Sequence, residues 1–174
     1  MISKLKAIRD RGIDVKFRQD ETILYLGASH GVTAKMIADE VKQGFVFCLE
    51  VSPESMIDLL RVCEENGNMA PMLYDANRPD DYAGKIPKVS FIYQDLAQKN
   101  QAEIFAKNAE RFLNDGGRFI LIIKARSIDS VRPVKDVVDE VKHKLRGYSI
   151  LDVSLERTHK GHHAIIGERN GKAV

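Results

Sequence analysis

The stretch Ile23-Leu24-Tyr25-Leu26-Gly27-Ala28-Ser29-His30-Gly31-Val32-Thr33 runs from a short apolar segment through two glycines into a helical pattern. The apolar segment reads as a buried parallel strand. Gly27 and Gly31 let the backbone turn sharply and approach a ligand closely, because neither carries a Cβ. The next apolar run closes on Glu50. An acid at the end of the second strand of an α/β sheet can accept hydrogen bonds from ribose hydroxyls. Strand, glycine turn, helix, strand and acid together predict a fold that holds a nucleoside cofactor.

Working outward, apolar runs alternate with amphipathic stretches along the whole chain. The spacing predicts strands over 22–26, 44–50, 69–74, 89–93, 117–123, 148–154 and 164–168. Helices are predicted over 3–11, 33–41, 53–65, 100–112 and 133–145. This alternation marks βαβ units and a mainly parallel sheet of seven strands, with the last two closing as an antiparallel hairpin. Ser52-Pro53-Glu54 supplies a capping hydroxyl before a proline suited to the first helical turn, and Asn114-Asp115-Gly116-Gly117 ends a helix with residues that tolerate left-handed backbone. A nucleotide crevice is expected outside the carboxyl ends of the first, second and fourth strands.

The bulk numbers agree with a soluble globular domain. The chain has 174 residues, 44% hydrophobic and 30% charged, a size that suits one domain over 1–174 with a core of its own. Cys48 and Cys63, its two cysteines, have no close-spaced partners, which argues against a disulfide framework or zinc knuckle and for a reducing, cytoplasmic setting. The longest aliphatic or aromatic run, residues 119–123, is far too short to cross a bilayer, so no membrane association is expected. A net charge of +2 does not by itself announce nucleic acid. Lys124, Arg126 and Arg132 gather near one strand end, however, and Arg157, His159, Lys160, His162 and His163 fall in another connection. In a parallel sheet both groups could flank one mouth; ordinary solvated surface charge explains them equally well.

Sorted by strand end, the polar residues collect at that crevice. They are Ala28, Ser29 and Gly31 after the first strand, Glu50 after the second, Asp75-Ala76 after the third, Asp95 with Gln98 after the fourth, and Lys124 after the fifth. Asp75 beside a small residue can accept the exocyclic amine of adenine while Glu50 holds the ribose. The first loop has no Lys or Arg to pair with a pyrophosphate, so S-adenosylmethionine fits better than a dinucleotide.

The same residues carry a resemblance. Residues 25–33 resemble the signature Y-L-G-A-A-S-G-T-T of the fibrillarin family, the methyltransferases of box C/D ribonucleoproteins. Asp75-Ala76 with Pro79 and Tyr82 is similar to its D-A-R-x-P-x-x-Y, and Asp95-Leu96-Ala97-Gln98 to its D-V-A-Q. Ile123-Lys124-Ala125 with Ile128-Asp129 is similar to its I-K-A-x-x-I-D, and His159-Lys160-Gly161-His162 to the archaeal H-K-D-H. The matches run from about Ser3 to Gly167.

The resemblance implies a Rossmann-like S-adenosylmethionine-dependent fold and methylation of ribose 2′-hydroxyls in rRNA or tRNA. It implies a box C/D guide RNA, a scaffold protein and a kink-turn-binding protein as partners. Cofactor contacts would fall to Gly27, Ala28, Ser29, Gly31, Val32, Thr33, Glu50, Val51, Asp75, Ala76, Asp95 and Gln98. Lys124, Asp95 and His162 would act in catalysis, and Arg126, Arg132 and Lys160 would touch RNA. A ribose hydroxyl is a poor nucleophile at neutral pH, so its proton must be removed or shared. Lys124 can do this as a neutral amine or can stabilise the developing alkoxide as an ammonium; sequence leaves both open.

Three departures stand out. Only about twenty residues of this sequence precede the expected first strand, where the family usually carries a small β-rich domain. His30 and Val32 replace Ser and Thr in the glycine loop, with His30 either narrowing the methionine slot or pointing to solvent. Gly161 replaces an aspartate beside the histidine group. The last change keeps a rival reading alive, a catalytically weak ribonucleoprotein component that keeps the fold and binds cofactor and RNA. A small-molecule or protein methyltransferase on the same fold is the other alternative. A metal site at His159, His162 and His163 is disfavoured because no acid or cysteine lies nearby in sequence, which leaves a catalytic histidine or a plain basic loop.

Overall fold

In the computed structural model, which describes residues 2–171, seven strands form one sheet in the order β3-β2-β1-β4-β5-β7-β6. The chain runs α1 (Lys4–Arg9), β1 (Thr22–Leu26), α2 (Val32–Ala38), β2 (Phe45–Glu50), α3 (Pro53–Glu64) and β3 (Met69–Leu73). A single 3₁₀ turn over Pro79–Tyr82 leads to β4 (Val89–Gln94), α4 (Gln101–Phe112), β5 (Leu113–Lys124), α5 (Ala125–Ile128), α6 (Val134–Lys144), β6 (Tyr148–Ser154) and β7 (His162–Arg169). Strands β1 to β5 are parallel; β7 pairs antiparallel with both β5 and β6 and so lies between them.

Strand order reverses between β1 and β4, and that reversal opens the crevice at their carboxyl ends. The central strands β1, β4 and β5 are buried on both faces. On one face Ile23, Tyr25, Phe91, Tyr93, Ile120 and Ile122 pack under α1, α2 and α3. On the other, Leu24, Leu26, Ile92, Phe119, Leu121 and Ile123 pack under α4 and α6. That two-sided burial is why the runs read as continuous apolar sequence and not as alternation. α4 follows the helical period, burying Ile104, Phe105, Asn108, Ala109 and Phe112 while Glu103, Lys107, Glu110 and Arg111 stay outside.

The expected elements are all present, with shifted ends. Ser52 caps α3, its hydroxyl accepting from Ser55 N at 3.3 Å, with Pro53 in the first turn. The expected turn at residues 114–117 lies inside β5 as an irregularity. Pairing with β4 jumps from Val89–Leu113 to Phe91–Arg118, and Gly116 takes φ +70°. The 3₁₀ turn and α5 were not expected; both are single turns, too short to show a period.

Candidate active site

Four strand ends build the crevice. Gly27 takes φ +83°, and a Cβ there would sit 2.6 Å from Leu96 Cδ2 and 2.7 Å from the Asp95 carbonyl oxygen. The loops after β1 and β4 therefore close on each other only over a bare glycine. Gly27 N and Ala28 N both donate to Leu49 O at 2.9 Å, and Asp95 N donates to Leu26 O, which stitches β1 to the ends of β2 and β4. Ser29 follows in left-handed conformation at φ +50°, and Gly31 at +85° starts α2.

Glu50 holds this loop. Its Oε2 accepts from Ser29 N at 2.8 Å, and its Oε1 accepts from Val51 N at 2.9 Å and Ser52 N at 2.8 Å. Three of the four acceptor sites of the carboxylate are thus in use, leaving one on Oε2 for a ligand hydroxyl. Asp75 Oδ1 accepts from Asn77 N at 2.9 Å and Asn77 Nδ2 at 3.1 Å, so its second oxygen faces no protein donor. Asn100 Nδ2 donates to Asn77 Oδ1 at 2.7 Å and ties this loop to the start of α4. The cleft between them has a volume of about 30 Å³. Gly27, Glu50, Val51, Asp75, Ala76 and Gln98 line it, joined by Leu49, Tyr74, Asn77, Leu96 and Ile104, which the sequence reading did not single out.

Beside the cleft, Asp95 sits between two ammonium groups. Lys124 Nζ lies 2.8 Å from its Oδ1 and Lys4 Nζ 2.7 Å from its Oδ2. The three side chains are 20%, 17% and 14% exposed for Lys124, Lys4 and Asp95. Burial pushes the Asp95 carboxyl upward, but the charges and hydrogen bonds of Lys124 and Lys4 outweigh it and hold the group below the usual carboxylate range. Lys4 went unnoticed in the sequence because it belongs to no motif; only the packing of α1 brings it here.

The β6–β7 loop completes this corner. His159 N donates to Leu155 O at 2.8 Å, His162 N to His159 O at 3.1 Å, and Ala125 N to Gly161 O at 3.0 Å, fastening the loop to the end of β5. Burial, then the Lys4 ammonium and His162, push the His159 imidazole below its usual value, opposed by Asp95. His162 pairs in register with Lys124, but its Nδ1 faces Lys160 O at 2.9 Å and its ring lies 5.8 Å from that of His159. The His159 imidazole feels the charges of Lys4 and Asp95. The sequence reading had singled out His162.

Val32 and Val51 are 68% and 54% exposed, and Val51 lines the cleft while its amide donates to Glu50. Thr33 lies beside the buried Tyr25. His30 is exposed and turned to Asp58, 3.8 Å away, which resolves the alternative in favour of solvent. Arg126 donates to Ser130 O and Arg132 O, and Arg132 pairs with Glu140 at 2.7 Å, while Lys160 is exposed. Gly161 adopts φ +70°, a region where aspartate is among the better tolerated residues, and its amide donates to Glu156 Oε2 at 2.7 Å. A carboxylate therefore still stands at this turn, supplied by Glu156. Among the described residues no group of three or more His, Cys, Asp or Glu could hold a metal ion, and no helix is long and apolar enough to cross a membrane.

Comparison with known proteins supplies the context for this geometry. The chain is 44% identical over 174 residues to the fibrillarin-like rRNA/tRNA 2′-O-methyltransferase of Methanocaldococcus jannaschii, covering 98% of this chain and 76% of that protein. It is similar to the fibrillarin of a fibrillarin/Nop5p complex, with TM-score 0.93 and 41% identity over 96% of this chain and 81% of that one. The Aeropyrum pernix fibrillarin with natively bound S-adenosyl-L-methionine superposes with TM-score 0.86 at 34% identity, covering 94% and 74%. The family model described as Fibrillarin matches residues 1–171, and with that span and those identities the chain belongs to the fibrillarin family.

Proposed function

We propose that this protein is an S-adenosylmethionine-dependent RNA ribose 2′-O-methyltransferase acting on rRNA or tRNA. The observation that carries the reading is Asp95 clamped by Lys4 and Lys124 beside a cleft lined by Gly27, Glu50 and Asp75. The cleft fits the cofactor on its own terms. Gly27 leaves the bare backbone that a close-lying ligand needs, Glu50 Oε2 keeps one acceptor for a ribose hydroxyl, and Asp75 keeps a free oxygen for the adenine amine. Ala76 and Gln98 flank that cleft, and Asp95 would face the methionine side of a bound cofactor. When bound, the cofactor supplies an electrophilic methyl on its sulfonium.

The chain's own residues do the rest. A 2′-hydroxyl placed beside Lys124 Nζ meets an ammonium already fixed by Asp95, so the group acts first by stabilising oxyanion charge as the proton leaves. The ion pair with Asp95 at 2.8 Å supports the charge-stabilising alternative of the two that sequence leaves open. His159, held toward its neutral form by burial and by Lys4, is the candidate to take the proton, which requires its ring to give up its contact with Thr158 Oγ1 or with the Ile2 backbone. Lys160, Arg126 and Arg132 are the candidates for phosphate contact, with Arg132 needing to leave Glu140 first. A box C/D guide RNA with a scaffold protein and a kink-turn-binding protein would select the target; the Nop5p complex of a relative supports the scaffold protein.

Calorimetry with S-adenosylmethionine followed by transfer of a labelled methyl to a guided RNA tests the reading. Lys124→Ala is expected to keep cofactor affinity within about twofold and to lose transfer by about 100-fold or more, the scale of one preorganised charge. Cofactor binding without transfer in a complete particle favours the inactive component instead. Transfer that needs no guide favours a different substrate class.

A further inference from the structure

α4 sends amide side chains into an otherwise apolar layer. Gln101 and Asn108 from this helix, and Gln94 from the end of β4, are all fully buried. The Gln101 carboxamide brackets the backbone of Lys124, with Oε1 accepting from Lys124 N at 3.0 Å and Nε2 donating to Lys124 O at 3.4 Å. Gln94 Nε2 donates to the main-chain carbonyl of Gln101 at 2.8 Å.

The location explains the need. Pairing between β4 and β5 ends at Gln94 with Leu121, because the chain turns away at Asp95, yet β5 runs on to Lys124. On that side the last residues of β5 have no neighbouring strand. Gln101 takes the place of the missing strand, satisfying the backbone of Lys124 where the chain leaves extended conformation at φ −101°, ψ 85°. Gln94 meanwhile buries an Oε1 with no partner, a cost offset only by what its amide nitrogen holds.

We propose that Gln101, braced by Gln94, is a positioning residue that aims the Lys124 ammonium at Asp95 and at the substrate hydroxyl. This rests on the methyltransferase reading above. Lys124 is a long, flexible side chain whose head must sit at a defined point, and a backbone shift of an ångström at its root moves the head off the reacting oxygen. Gln101 touches neither cofactor nor substrate; it acts through the lysine.

The test compares Gln101→Met, close in size but unable to bond, with Gln101→Glu, which keeps an acceptor for Lys124 N–H. Both are assayed in the assembled guide-RNA particle, with rates expressed per mole of cofactor-bound protein so that unfolded material is not counted. Gln101→Met is expected to lower kcat about 10- to 100-fold with the cofactor Kd and RNA KM within about twofold, and Gln101→Glu to recover most of the rate. Should Gln101→Met not fold, Gln94→Met is read in the same way. A wild-type kcat in Gln101→Met, or a loss lying wholly in KM or Kd, would overturn the positioning role. Absence of transfer by the wild-type particle overturns the methyltransferase reading itself, so the two failures are distinct.

Discussion

At the scale of single residues, Asp95 shows burial and charge competing at one group. Burial favours the neutral acid, and the Lys124 and Lys4 ammonium groups favour the carboxylate and win. The folded group is more acidic than the unfolded one, so its stabilisation is complete above the ordinary aspartate value and disappears as pH falls through the folded value. Denaturation of wild type and Asp95→Asn should therefore differ most at neutral pH, with the gap closing below about pH 4, the ordinary aspartate value; a gap that widens in acid would refute the assignment. Glu50 presents a different balance. Three backbone amides already occupy it, so Glu50→Ala removes both the loop's anchor and the ligand's acceptor. Calorimetry is expected to show cofactor affinity falling by about 10- to 100-fold, the equivalent of one charged hydrogen bond.

At the scale of elements, the β1–α2 turn works because two loops touch through Gly27. A methyl group there would meet the Asp95 carbonyl at 2.7 Å, and backbone cannot move aside as a side chain can. Gly27→Ala is expected to cost about 1–3 kcal/mol of stability, from left-handed strain and overpacking together, and to abolish measurable cofactor binding. Thermal unfolding and calorimetry read the two effects separately. α4 is the second functional element. Asn108 Nδ2 donates to Ala76 O at 2.9 Å as Gln101 holds Lys124, so one helix fixes both the β3 loop and the end of β5.

Across the whole molecule, the segment ahead of β1 is wired to the centre of the sheet at both ends. Lys4 reaches Asp95 at the carboxyl edge, while at the opposite edge Arg118 pairs with buried Glu21 at 2.7 Å and donates to Lys16 O at 3.1 Å. Glu21 keeps a second cation, Arg18, at 3.4 Å. Arg118→Met is accordingly expected to destabilise by about 2 kcal/mol, less than the full penalty for stranding a buried charge because Arg18 remains. Urea denaturation measures it, and methyl transfer by the folded fraction should not change.

The strands, their order of appearance and the glycine turn were legible in residues 22–50 because local period and steric freedom are written in neighbouring residues. So were Glu50, Asp75, Asp95 and Lys124, each of which ends an apolar run. The resemblance carried more, from the cofactor class to the histidine loop. Lys4, the place of His159 near Lys4 and Asp95, Glu156 beside Gly161, and the Gln94–Gln101 brace were decided only by tertiary structure. Each depends on a partner distant in sequence or on which way a loop folds. Lys4 and Asp95, 91 positions apart, meet because α1 packs on the sheet, and no local pattern records that contact.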